Sequence, residues 1–131
     1  MSSTYVKRKK VQKEKKIRKT TETLRTVPYD TGFHFYTGTG SFTGETATSL
    51  DDFERQLQIV PDASVGYHLA RGDFQEWIQD TLGDKELARR IDSIETSASV
   101  ERQRKEILAI VRTRINELKQ ELAHHLVHAH A

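Results

Sequence analysis

From Leu108 to Leu122 the chain reads LAIVRTRINELKQEL. Leu108, Val111, Ile115, Leu118 and Leu122 are spaced alternately three and four residues apart, which places them on one face of an α-helix. Val100 and Ile107 extend that face, with Ile110 and Leu126 beside it. The spacing predicts one helix from Ser99 to at least Leu122, long for a chain of 131 residues. A seam of about three heptads is short for a two-chain coiled coil, so the helix is expected to pack on a body made by the preceding residues.

N-terminal to that helix, Thr96-Ser97-Ala98-Ser99 is a polar break. Before it, Asp84 is placed to cap a helix with Leu87, Ile91 and Ile94 inside. Asp73 is placed to cap another, whose inner face is Phe74, Trp77, Ile78 and Leu82 and whose end is Gly83. Gly72 breaks a helix running from Pro61 to about Ala70, which carries Val65, His68 and Leu69. Ser49, with Asp51 and Asp52 in the first turn, caps a helix that buries Leu50, Phe53, Leu57 and Val60 and stops at Pro61. Upstream the pattern changes from helical to alternating. Phe33 to Thr37 reads as a strand, Gly38 and Gly40 as a turn, and Ser41 to Thr46 as a returning strand. A two-stranded ribbon is marginal alone, so it must lie on the helices. The expected fold is α+β and predominantly helical: an N-terminal β-ribbon packed on a bundle of four to five helices, ending in a long C-terminal helix. No internal repeat is present.

The formal net charge of +2 hides two unlike parts. Residues 1–20 hold nine basic residues and one acid, Glu14, a net of +8; the rest hold twelve basic residues and eighteen acids, a net of −6. In the first part Val6, Val11, Ile17 and Leu24 lie too far apart for a helical stripe. Such a segment is expected to be disordered when free. The expected organisation is a basic tail over residues 1–27, one domain over residues 28–123, and a His-rich end over residues 124–131.

Composition narrows the function. The chain lacks cysteine, which excludes disulfides, thiolate metal sites and a thiol nucleophile. It holds no run of about 18 apolar residues, so no membrane insertion is expected. Its basic run is followed by Thr20-Thr21-Glu22-Thr23 rather than an apolar stretch, and residue 2 is Ser, so a cytoplasmic protein is expected.

Four features are candidates for a site. The first is the set of tail cations: Lys7, Arg8, Lys9, Lys10, Lys13, Lys15, Lys16, Arg18 and Lys19. Seven of the nine are Lys, point charges suited to phosphate backbone more than to base edges. Extended, twenty such residues would reach roughly 65–70 Å. The second is the glycine cluster Gly38 to Gly44, which lacks both the immediately following helix of a dinucleotide site and the Lys of a P-loop, and reads as hairpin glycines. The third is a ligand or partner site at Tyr36, Thr37, His68, Arg71, Asp73 and Trp77. There a His beside a carboxylate could do acid–base work, but a satisfied core histidine, a capping Asp73 and a core Trp77 explain the same residues. The fourth is His124 and His128, four apart on a helix, a weak metal pair without a third ligand.

Several segments together resemble a small prokaryotic, mainly archaeal, family defined only as a domain of unknown function. They are Phe35-Tyr36-Thr37-Gly38, Thr43-Gly44-Glu45, Ala47 to Phe53, His68-Leu69-Ala70-Arg71-Gly72-Asp73-Phe74 with Trp77-Ile78, and Gly83 to Ala88. The His-x-x-Arg-Gly-Asp-Phe block is the most specific of them. The resemblance implies a compact domain of ribbon and helical bundle, and no reaction. The functional expectation is a non-enzymatic protein, without cofactor, that contacts nucleic-acid phosphates through its Lys-rich tail, RNA or a ribosome-like particle before DNA. The alternative is a protein–protein or regulatory module linked to carbohydrate metabolism, using the ribbon and the His68–Trp77 turn.

Overall fold

The computed structural model describes the backbone of residues 2–129 and the side chains of residues 7–127. Among the described residues, six α-helices and a two-stranded ribbon follow in the order α1 (Ser2–Leu24), β1 (Phe33–Tyr36), β2 (Phe42–Ala47), α2 (Leu50–Ile59), α3 (Asp62–Arg71), α4 (Asp73–Trp77), α5 (Lys85–Asp92) and α6 (Val100–Ala129). The α+β, mainly helical reading therefore holds, with the long helix last.

Three body helices, α2, α5 and α6, start where side chains satisfy their free amides. Ser49 Oγ accepts the Asp52 N–H at 3.1 Å, Asp84 Oδ1 that of Leu87 at 3.1 Å, and Ser99 Oγ that of Arg102 at 3.2 Å. The seam of α6 buries Ile107, Val111, Ile115 and Leu118, and α6 packs on α1, α2, α3 and α5 of its own chain. Phe53 centres the core. The rings of Phe33, Phe35, Phe74 and Trp77 surround it at 5.3 to 5.9 Å. The Trp77 indole N–H donates to the Thr31 carbonyl at 2.8 Å, pinning the turn that leads into β1.

The strands pair antiparallel, with Phe33 opposite Ala47, His34 opposite Thr46 and Tyr36 opposite Phe42. Between the last two pairs β2 carries two more residues than β1, a bulge. Gly44, at φ 88°, takes the left-handed conformation this needs. Thr43 satisfies the displaced backbone: its hydroxyl donates to the Phe35 carbonyl at 2.8 Å and accepts the Glu45 N–H at 3.1 Å.

The structure corrects the tail. Residues 2–24 form α1 rather than a disordered segment, and the C-terminal half of that helix is docked on the body. The contact positions are polar, which is why apolar spacing misses them. Thr20 and Thr23 are buried beside the half-buried Ile17 and Leu24. Thr20 donates to Glu121 at 2.8 Å, and Thr23 to the Leu82 carbonyl at 3.1 Å. Thr20, Thr23 and Val27, all before residue 28, are thus buried against the body. The extended reach is corrected too, since a 23-residue helix is about 35 Å long.

The single helix expected from Asp73 to Gly83 is also interrupted. After α4 the chain widens into a π-helical turn, Ile78–Leu82, before Gly83. The carbonyls of its last residues are the acceptors that receive α1: Arg25 donates to Thr81 at 2.9 Å, as Thr23 does to Leu82. At the other end, residues 124–129 belong to α6, so the described His-rich residues form the end of the long helix; residues 130 and 131 lie outside the described residues.

Candidate functional site

Lys16 pairs with Glu121 at 2.8 Å, Thr20 bonds the same carboxylate, and Lys13 and Ile17 line a cavity with His124 and His125. As α1 numbers fall, α6 numbers rise, so the two helices run antiparallel. All nine candidate cations are exposed. At roughly 100° per residue, Lys7, Arg8, Lys15 and Arg18 turn away from the docked face formed by Ile17, Thr20, Thr23 and Leu24, while Lys19 lies at its margin and lines a cavity with Asp84, Glu86 and Glu121. Lys9, Lys10, Lys13 and Lys16 fall on the side nearer α6. Burial alone would raise the Glu121 carboxyl, but Lys16 and Thr20 hold it below the ordinary value. Glu121 therefore stays charged and holds α1 in place. From Lys7 to Lys19 the candidate cations span about 18 Å, the rise of about five nucleotides of one strand.

The second site lies where β1 meets α3. The Tyr36 backbone N–H donates to His68 Nε2 at 2.8 Å. A backbone amide can only donate, so Nε2 carries the lone pair and Nδ1 carries the proton. Nδ1–H donates to Asp73 Oδ2 at 2.8 Å, and the same oxygen accepts Arg71 Nε–H at 3.1 Å. The three residues meet because Gly72 takes φ 74°, turning the chain sharply between α3 and α4. Asp73 is thus not the side-chain cap of α4: its carboxylate is committed to His68 and Arg71. His68 is 3% exposed and both its nitrogens are bonded. It closes the free edge of the ribbon and has no lone pair left for a substrate proton.

Burial lowers the His68 pKa below 6.5, against the raising effect of Asp73. Arg71 also lowers it, and Tyr36 and Tyr67 are the other titratable side chains beside the ring. Protonating Nε2 would set two donors against each other at Tyr36. The unfolded chain takes the proton first, at about pH 6.5. The contribution of His68 is therefore full above that pH and is lost as pH falls through the lower folded value. Denaturant unfolding between about pH 7.5 and 5.5 is expected to show a steeper stability loss for the wild type than for His68→Gln, whose amide oxygen can still accept from Tyr36. Equal slopes would contradict this role.

Among the described residues, no three His, Asp or Glu side chains are grouped so as to hold a metal ion. The His128 side chain lies outside the described residues, so the His124–His128 pair has no described geometry.

Residues 31–129 match a family described as Family of unknown function (DUF5752). The chain belongs to that family. No curated protein and no solved structure matches the chain. In this family member the matched segment takes in the ribbon, the His68 cluster and α6, and leaves α1 outside.

Of the six residues read as one candidate site, the structure brings Tyr36, His68, Arg71 and Asp73 to one groove. Trp77 is a core clip to Thr31, and Thr37 closes the hairpin through its N–H to Ser41 at 3.0 Å. Reading that site from sequence misses Tyr67 and His34, which line the same groove. Tyr67 had a signal: it lies four residues before Arg71 on α3, and the guanidinium sits over its ring at 5.1 Å. His34 is placed there only by the ribbon.

Proposed function

We propose that this protein binds nucleic acid through the sugar–phosphate backbone, without turnover, and that RNA or a ribonucleoprotein particle such as the ribosome is its partner. The observation that carries the reading is a helix with nine exposed cations between Lys7 and Lys19, fixed to an otherwise acidic body. Cations that displace the counterions condensed on a polyanion gain affinity from their release. The preponderance of Lys favours phosphate over base edges. The acidic body repels the polymer, so it orients α1 toward it and turns the rest away.

The test is direct binding to labelled RNA by fluorescence anisotropy as salt is raised. With six or more phosphates engaged, affinity falls roughly a thousandfold between about 50 and 200 mM salt. Affinity that is flat across that range would overturn the reading.

A further inference from the structure

Arg71 is exposed, yet it is held in place. Its Nε–H donates to Asp73, its guanidinium lies over Tyr67, and Asp73 is itself fixed by the buried His68. Among the described residues the outer edge of that guanidinium, Nη1 and Nη2, carries no hydrogen bond. An oriented arginine edge is a pre-formed fork for the oxygens of a phosphate. The edge borders a groove of about 470 Å³ between the hairpin turn and α3, within the range of about 300–1,000 Å³ typical of small-ligand sites. Tyr36 and Tyr67, both half-buried, supply aromatic surface, and Thr39 supplies a hydroxyl at the rim. Among the described residues Asp73 Oδ1 accepts no hydrogen bond, and it offers an acceptor for a ligand hydroxyl.

We propose that this groove binds a nucleoside monophosphate, free or as one unit of a single strand, with the phosphate on Arg71, the base against the tyrosines and a ribose hydroxyl on Asp73. Stacking on aromatic rings and on arginine planes is how unpaired bases are held. Among the described side chains of α1 there is no aromatic ring, so this groove adds a stacking surface to them. The groove does not depend on the binding proposed for α1.

The experiment is calorimetric titration of the full chain with AMP, adenosine and inorganic phosphate. In parallel, amide spectra follow Tyr36, Thr39 and Gly40. AMP is expected to bind at least about tenfold more tightly than either fragment and to shift those amides. Arg71→Gln is expected to lose about tenfold or more in AMP affinity, the loss of one charge-assisted contact, while its melting temperature holds. Oligoadenylate binding more tightly than AMP, on a chain whose outward α1 cations are replaced by Gln, assigns the site to a strand; equal or weaker binding assigns it to the free nucleotide. The proposal is overturned if AMP binds no more tightly than phosphate, if Arg71→Gln keeps full AMP affinity, or if the groove amides do not move. Loss of RNA binding by the α1 variant with AMP binding intact would leave both readings standing separately.

Discussion

Asp84→Ala is expected to destabilise the protein by about 2–3 kcal/mol, less than the about 3–5 kcal/mol of stripping one partner from a fully buried ion pair, because Arg114 is partly exposed. Asp84 is 3% exposed and does two jobs. Oδ1 caps α5 at the Leu87 N–H and accepts Arg114 Nη2 at 3.1 Å, while Oδ2 accepts Arg114 Nε at 2.8 Å. Burial works against the Arg114 charge, and the bidentate Asp84 pair overrides it, leaving the guanidinium pKa above its ordinary value. Without Asp84, Arg114 keeps only Glu117, at 3.1 Å, which already takes both terminal nitrogens of Arg90. The cap alone is worth about 1 kcal/mol. Asp84→Asn should therefore fall between the wild type and Asp84→Ala, because an amide oxygen can still cap. Thermal unfolding followed by circular dichroism should show a drop of roughly 10 °C or more for Asp84→Ala. A drop of about 2 °C or less would mean that the pair adds little to the fold.

The second large effect is on binding. Replacing Lys7, Arg8, Lys15, Arg18 and Lys19 together by Gln removes the outward row and the exposed Lys19 at the margin of the docked face, and leaves Lys16, Thr20 and Thr23 to hold α1 on the body. All five side chains are exposed, so the melting temperature should hold. Each lost phosphate contact flattens the dependence of log affinity on log salt by about 0.7 for a single strand and about 0.9 for duplex DNA. The variant should thus lose about 3.5 to 4.5 from the slope, and about a hundredfold or more in affinity near 100 mM salt. Deleting residues 1–20 would be a poorer test, because Thr20 and Lys16 also dock the helix.

Most of the body was legible because its determinants are local. Ser49 and Asp84 cap through the third amide downstream, and the α6 seam repeats within each turn. The ribbon was legible to within one residue, since Phe33 and Phe35 alternate with His34 and Tyr36 and face the core. What escaped depends on distant partners. Thr23 meets Leu82 across 59 residues and Thr20 meets Glu121 across 101. No local count of apolar residues sees a threonine whose burial is secured by a hydroxyl bond to another element. The π-helical turn escaped for the same reason: its end carbonyls are satisfied by α1. At the His68 cluster the spacing was visible but the wiring was not. A carboxylate one residue after a glycine looks like a helix cap until the tertiary structure presents an imidazole to it.

On the proposed function, nucleic acid is held by α1. The most direct measurement is the nucleic acid that co-purifies from cells with the full chain and with the five-residue Gln variant, each with and without nuclease treatment. Nucleic acid is expected with the untreated wild type, none after nuclease, and little with the variant even before nuclease. Equal amounts on the wild type and the variant, or none on either, would contradict it.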